Sequence, residues 1–403
     1  MSSLILWLTA AIFFGYGHLT RVAPGSMADS LMRDFAIGST ILGNISAMYW
    51  YSYAIFQIPG GFFTDKYGPT YIIIVSSLLC VLGGLLFSLG TNLDMINVGR
   101  FLTGAGCAAI YASCIKIAYK SFTPKTFAII SGITLLIGML GAAIGQAPIA
   151  ILVEFYGRQE VMLWVALVAL PFGAIALLIT CISHNSTQSY KKTPHLNTLI
   201  MKLLKSRQYW VFSTFTMTIA APAISFPAWG MVYYMQALQY NRSEAALFPT
   251  VSVLGWALGA LIIGWAVGHM RHRQIVLVAT SFASIVGWSI FVCFPGMPAS
   301  AHFTVMALVG FSAGGIVSGF ILIADNCPEG TEGTAIGIAN SLVMLVSAVI
   351  LIIIGFILDQ FWLGEIKGGV HIYTPFAYQI AYLVMPAMSL IALIAALYTR
   401  KYF

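Results

Sequence analysis

The chain has 403 residues, of which 60% are hydrophobic and only 8% charged. A water-soluble domain carries roughly 25% charged residues, so this chain has too little polar surface to face water and belongs in a bilayer. Its net charge of +7 is spread over loops, which argues against a nucleic-acid patch and makes the charge a marker of topology.

Apolar segments of about 20 residues suffice to span a bilayer, and twelve are expected. The first, Leu4–Asp29, lacks the basic start and small-residue cleavage site of a signal peptide. Thr40–Phe63, Tyr71–Leu89, Asp94–Tyr119, Thr126–Val153 and Val161–Ile182 follow. A polar, basic stretch over 184–207 is too short to fold a core. Then come Tyr209–Met235, Ala245–Gly268, Gln274–Phe294, His302–Ala324, Thr334–Leu358 and Ala377–Tyr398. The expected fold is therefore all-α and integral to the membrane, with a six-helix bundle over 1–183, a linker over 184–207 and a second bundle over 208–403. Six cysteines lie in or beside apolar runs with no C-x-x-C spacing, and read as packing residues.

With the N-terminus inside, twelve lysines and arginines fall in inner loops and ends, including Lys66, Lys120, Lys202, Lys205, Arg207 and Arg400. Four fall outside: Arg33, Arg158, Arg242 and Lys367. That bias places both termini in the cytoplasm. The halves also repeat. Gly61-x-x-x-Asp65 recurs as Gly264-x-x-x-Gly268 without the acid, and Gly104 matches Gly310. Parallel repeats with a site between them are a transporter plan.

The loop Gly60-Gly61-Phe62-Phe63-Thr64-Asp65-Lys66-Tyr67-Gly68 has the spacing G-x-x-x-D-[RK]-x-G. Gly61 is expected to let helix ends approach, Asp65 to cap a helix or pair with a cation, and Gly68 to turn the chain. Arg100-x-x-x-Gly104-x-Gly106 lies in the fourth span, and Gly132, Gly141, Gly145 and Pro148 in the fifth. Together these resemble the signature motifs of the major facilitator superfamily across nearly the whole chain. The strings Arg21-Val22-Ala23-Pro24-Gly25-Ser26-Met27 and Lys116-Ile117-Ala118 are similar to one subgroup, the phagosomal nutrient transporters of intracellular bacteria. The resemblance implies two bundles working by alternating access, a bacterial inner-membrane location, and import of amino acids or other small metabolites. It also implies that the Asp65 loop, with Gly61, Lys66 and Gly68, serves conformational change. Arg100 is expected to be structural or gating in place of substrate-binding, and Lys116 either an inner gate or anion site or a snorkelling cation. Asp65→Ala is then expected to lower transport and leave affinity intact.

Arg21 is the main substrate pointer. An ionisable group inside a span is costly and faces a cavity or partner, and its fork suits a carboxylate. Snorkelling to headgroups is the competing reading. Tyr16, His18, Tyr111, Trp229 and Tyr233 complete the expected binding set, with Pro227 inviting a break in the seventh span. His18 is of a type that can couple a proton near neutrality, but beside Arg21 its charged form is disfavoured, and a neutral hydrogen-bonding histidine is the favoured reading. No acid sits at mid-span. No metal cluster, nucleophile–base pair or phosphate loop is present in the sequence, so neither an enzyme nor a cofactor is expected. The reading is a monomeric carrier of a small carboxylate-bearing solute, an amino acid or short peptide. An organic-anion or phosphorylated-metabolite carrier and a non-transporting nutrient sensor are the alternatives.

Overall fold

The computed structural model describes residues 2–122, 124–182, 196–270, 272–328 and 331–402. The central part of the linker, 183–195, lies outside the described residues, as does the Asp65 side chain. The first ten helices are α1 Ser2–Ser26, α2 Ala28–Phe35, α3 Ser39–Tyr67, α4 Pro69–Leu89, α5 Leu93–Cys107, α6 Ile110–Ser121, α7 Pro124–Ile144, α8 Ala147–Tyr156, α9 Arg158–Val168 and α10 Leu170–Ile182. The next seven are α11 Leu196–Lys205, α12 Arg207–Gln236, α13 Arg242–His269, α14 Arg273–Cys293, α15 Ala299–Ala313, α16 Ile316–Asn326 and α17 Glu332–Gln360. Two short strands, β1 Ile366–Lys367 and β2 Val370–His371, precede α18 Pro375–Tyr382 and α19 Val384–Tyr398.

Counting a helix and its broken continuation together, eleven spans among the described residues are long and apolar enough to cross a membrane. The expected second span, Thr40–Phe63, is absent from that set. It folds as the 29-residue α3, which is long enough at about 1.5 Å per residue. Thr40, Asn44, Ser46, Ser52 and Gln57 make it less apolar than the others.

The chain forms two compact units: Met1–Ser30 with Ile45–Lys191, and Leu31–Asn44 with Lys192–Phe403. The first turns of α3 thus belong to the second unit. In the first unit α1 packs on α7 and α6, and α4 on α5, α9 and α10. Small residues set these distances, as in other membrane bundles. A Cβ at Gly141 would collide with the Gly15 carbonyl, and one at Gly104 with Tyr49 and Ser52 of α3.

In the second unit α13 packs on α15, α12 on α17 and α19, and α14 on α19 and α15. The repeat read from sequence reappears as geometry. A Cβ at Gly310 of α15 would meet the Ser252 carbonyl of α13. Ser252 stands 203 positions after Tyr49, and Gly310 stands 206 after Gly104. The helix break at 108–109 between α5 and α6 likewise recurs at 314–315 between α15 and α16.

Three expectations change. The seventh span is not broken: α12 runs 30 residues through Pro222 and Pro227. Breaks fall at glycine- and alanine-rich positions instead, including Gly145–Gln146 between α7 and α8. The fold is also not purely helical. Gly368 at φ 58° and Gly369 at φ 79° form the positive-φ pair that a tight hairpin needs, and Lys367 pairs with Val370 across it. That hairpin leads into Tyr373, whose hydroxyl donates to the Asp359 carboxylate (2.7 Å). Asp359 also accepts from the Ser39 amide (2.9 Å), the Thr40 amide (2.7 Å) and the Thr40 hydroxyl (2.5 Å). A carboxylate on α17 therefore caps the positive N-terminal end of α3. Burial pushes the Tyr373 hydroxyl pKa up, and the neighbouring Asp359 charge adds to the effect.

The third change concerns the signature loop. Gly61 has open space where a Cβ would go, whereas a Cβ at Gly60 would lie 2.7 Å from the Ala109 Cβ. The close approach belongs to Gly60, because that glycine faces the α5–α6 break. Gly68 adopts φ 88°, a conformation that side chains with a Cβ avoid.

Candidate substrate site

Arg21 lies on α1 within the first unit. Its guanidinium carbon stands 5.0 Å from the centre of the Trp50 ring on α3, close enough for a cation–π contact. Its Nε is buried and has no hydrogen-bond partner among the described residues. Around it, Phe14, Gly17, His18, Tyr49, Tyr53 and Cys107 line a small cavity. The cavity volume is about 10 Å³, room for a single water. Arg21 is the one residue of fixed charge among those lining it, and no lining residue is acidic.

The other cations of this unit are engaged differently. Pro24 has no N–H, so it leaves the Thr20 carbonyl, one helical turn earlier, without its usual donor. Arg100 on α5 fills that role: its Nη1 donates to the Thr20 carbonyl at 2.7 Å and its Nη2 to the Arg21 carbonyl at 3.4 Å. The guanidinium lies over the rings of Tyr49 (4.9 Å) and Phe87 (5.9 Å) and is 2% exposed. Lys116 donates to the Thr64 carbonyl at 2.7 Å, in the last turn of α3. Arg158 donates to the Phe87 carbonyl at 3.2 Å, in the last turn of α4. Arg100 and Arg158 thus serve carbonyls that a proline or a helix end leaves open, while Lys116 adds a second donor to a carbonyl that also accepts the Gly68 amide (3.1 Å). Arg21 contacts an aromatic face instead.

His18 lines the same cavity, with Nδ1 3.0 Å from the Phe14 carbonyl and its ring 4.3 Å from the Phe14 ring. The carbonyl accepts, so Nδ1 carries a hydrogen in this contact. Tyr111 does not line the cavity and packs against Phe14, at 5.1 Å between rings. Tyr16 does not line the cavity: it packs against Phe13 and Phe172, its hydroxyl without a described partner. Trp229 and Tyr233 lie in the second unit. Trp229 donates to the Leu351 carbonyl at 3.3 Å and is 1% exposed. Tyr233 sits in an aromatic cluster with Tyr234, Phe291, Tyr378 and Tyr382. In this conformation both are core residues of α12. Lys66 lies over the Tyr67 ring at 5.0 Å.

Sequence reasoning missed Trp50, Tyr49 and Tyr53. The signal was present as Tyr49-Trp50-Tyr51-Ser52-Tyr53, because residues four apart share a helix face. It also passed over Cys107, whose Sγ is 3.6 Å from that of Cys80. Both are free thiols, and Cys107 belongs to the cavity wall.

Apolar helices in two glycine-packed repeats, with one cation lining a cavity inside a span, point to a multi-pass membrane carrier. The chain belongs to the Major Facilitator Superfamily, whose sequence model matches residues 5–350. It is 23% identical to the probable galactarate/D-glucarate transporter GudP of Bacillus subtilis (strain 168), over 91% of this chain and 88% of that one. It is 22% identical to the lysosomal dipeptide transporter MFSD1 of Mus musculus, over 88% of this chain and 80% of the relative. The crystal structure of the nucleoside transporter NupG superposes with a TM-score of 0.76 at 13% identity, covering 100% of both chains. The protein is thus a transporter by family.

Proposed function

We propose that the protein is a secondary transporter of a small carboxylate-bearing solute, held by Arg21 and moved by alternating access. The observation that carries this reading is the contrast among the cations set within the spans. Arg100, Lys116 and Arg158 each donate to a backbone carbonyl. Arg21 stands over Trp50 with its Nε unpartnered among the described residues. A guanidinium whose Nε is buried without an acceptor carries a desolvation cost that a bound carboxylate offsets. The 10 Å³ cavity admits no solute, so binding requires a conformation in which it opens.

An organic acid suits this site better than a zwitterion. An amino acid or dipeptide brings an ammonium group, and the cavity lining offers it no carboxylate. The relative that carries galactarate or D-glucarate is consistent with an acid. An amino-acid or peptide substrate is the second reading, favoured by the dipeptide transporter among the relatives. In the rest of the proposal α3 serves as a twelfth span, both termini face the cytoplasm, and the protein acts as a monomer in a bacterial inner membrane. The positive-inside bias supports the orientation. The Gly60–Gly68 loop, Arg100 and Lys116 serve the conformational change, and His18 offers the site for a coupling proton.

The test is uptake into proteoliposomes of labelled D-glucarate, dialanine and uridine, with Arg21→Lys beside the native protein. D-Glucarate should accumulate, and the lysine variant should lose at least tenfold in affinity because it cannot offer a two-pronged contact. Preference for uridine, or equal uptake by the variant, would overturn the assignment of Arg21. Saturable binding with no flux for any solute would make the protein a sensor.

A further inference from the structure

The second unit carries a groove that the transport reading does not use. It runs between α12 and α19, with a volume of about 290 Å³, and is open to the surroundings of the bundle. Its two walls are graded in the same sense. Arg207 and Trp210 begin α12, and Tyr398 ends the antiparallel α19, so charge and aromatic rings share one end. Val211 on one wall and Ile391 and Ile394 on the other lie further in. Ile391 is seven residues from Tyr398, about 10 Å along a helix. That grading, cation and aromatics at the rim with aliphatic walls deeper, matches the membrane interface and the hydrocarbon beneath it.

The rim is electropositive beyond Arg207. The guanidinium lies 5.9 Å from the Tyr398 ring centre, and the Trp210 indole donates to the Leu204 carbonyl at 2.7 Å. That bond ties the amphipathic α11 to the mouth of the groove, with Lys202 and Lys205 exposed. Arg400 follows Tyr398 and is also exposed. The N-terminal end of α12 adds its positive dipole. No acidic residue lines the groove. Asp325, near the end of α16, is taken up by an ion pair with Arg273.

We propose that this groove is a site for an anionic phospholipid, with its phosphate at Arg207 and one acyl chain along Val211, Ile391 and Ile394. Basic pockets between membrane helices bind anionic headgroups, with each cation near the surface contributing roughly a fivefold preference. A phosphatidylcholine offers the same chains and phosphate, but its trimethylammonium group gains nothing from the Arg207 rim and the exposed lysines and arginine of the adjoining helix ends. The groove therefore selects by headgroup charge and retains by chain contact.

The experiment is native mass spectrometry of the detergent-purified full chain, titrated with dioleoyl phosphatidylglycerol or dioleoyl phosphatidylcholine. The native protein should retain phosphatidylglycerol at least fivefold more tightly. Arg207→Gln should remove about fivefold of phosphatidylglycerol affinity and less from phosphatidylcholine, whose ammonium offsets its phosphate, so the preference between the two narrows. Ile394→Trp, at a position exposed in the folded chain, should obstruct the trough and weaken both lipids. Unfolding midpoints without added lipid check that both variants are folded. Equal retention of the two lipids, an unaffected Arg207→Gln, or an Ile394→Trp that still binds phosphatidylglycerol would each refute the site.

Discussion

Pro24 and Arg100 should be energetically coupled although they lie on different helices. Proline removes the N–H that would bond the Thr20 carbonyl, and Arg100 donates to that carbonyl at 2.7 Å. Replacing Arg100 by methionine keeps much of the volume but leaves the carbonyl buried without a donor, at about 1–3 kcal/mol. It also removes the contacts over Tyr49 and Phe87, while relieving the desolvation of a guanidinium. A net loss of roughly 2 kcal/mol is expected. In a Pro24→Ala background the new amide at position 24 can serve the Thr20 carbonyl, so Arg100→Met should then cost about 1 kcal/mol or less. The coupling energy is therefore about 1–2 kcal/mol, above the roughly 0.3–0.5 kcal/mol within which independent sites add. Reversible unfolding of the four proteins in mixed micelles measures it. The same cost for Arg100→Met in both backgrounds would refute the account of the guanidinium as a substitute donor.

Gly60→Val should destabilise the first unit by about 1–3 kcal/mol through overpacking against Ala109, whereas Gly61→Ala should be neutral or slightly stabilising. Micelle unfolding of the two variants decides this, and an equal loss for both would show that the loop tolerates neither. Asp359→Ala should cost about 0.5–2 kcal/mol, the range for loss of an N-cap, and accelerate hydrogen exchange at the Ser39 and Thr40 amides by up to about 30-fold; unchanged exchange would remove α17 from the anchoring of α3. Because the Tyr373 pKa is raised in the folded protein, its contribution is intact below the ordinary tyrosine value of about 10 and fades as pH rises through the raised one. Tyr373→Phe should flatten that alkaline decline in a stability–pH series, and an unchanged decline would assign it to another group.

Much of this fold was legible because a bilayer makes few demands and makes them strongly. Runs of about 20 apolar residues report spans directly, and the paired glycines reported the repeat because close helix packing admits only small residues. The polar α3 had to be read from its length and position, since its Ser, Thr and Asn side chains dilute the hydropathy signal. Arg21 was readable as an anomaly, an ionised group where none is cheap. Its surroundings were not, because which face of α3 meets α1 depends on the Gly104–Tyr49 approach and not on any local pattern. Trp229 and Tyr233 illustrate the opposite error. A shared helix face says that two residues point the same way, but not whether that way leads to a cavity or a core. The choice of Gly61 over Gly60 was a one-residue error of the same kind, which rotates about 100° around a helix of 3.6 residues per turn.

The two repeats share a backbone plan and divide the chemistry. Pro24 and Pro227 stand 203 positions apart, each inside the first long helix of its half. The first proline faces an arginine: Arg100 donates to the carbonyl that Pro24 leaves open. The position 206 after Arg100 is Met306, fully buried, which has no such donor to give. Where the first unit buries Arg100, the second unit has rings, with Phe226, Tyr233, Phe291, Tyr378 and Tyr382 packed within about 6 Å of their neighbours. Guanidinium groups hold backbone and substrate through directed hydrogen bonds, whereas aromatic clusters hold shape through area and edge contacts. The first unit thus carries the directed cation contacts and the second the ring cluster. Arg21 therefore has no counterpart to share its load: position 224, which lies 203 residues on, is Ile224. Transferring a guanidinium to that position by Ile224→Arg in an Arg21→Ala background should not restore uptake, because the second unit lacks both the Trp50 face and the Arg100 brace. Restored uptake would show the halves to be chemically interchangeable.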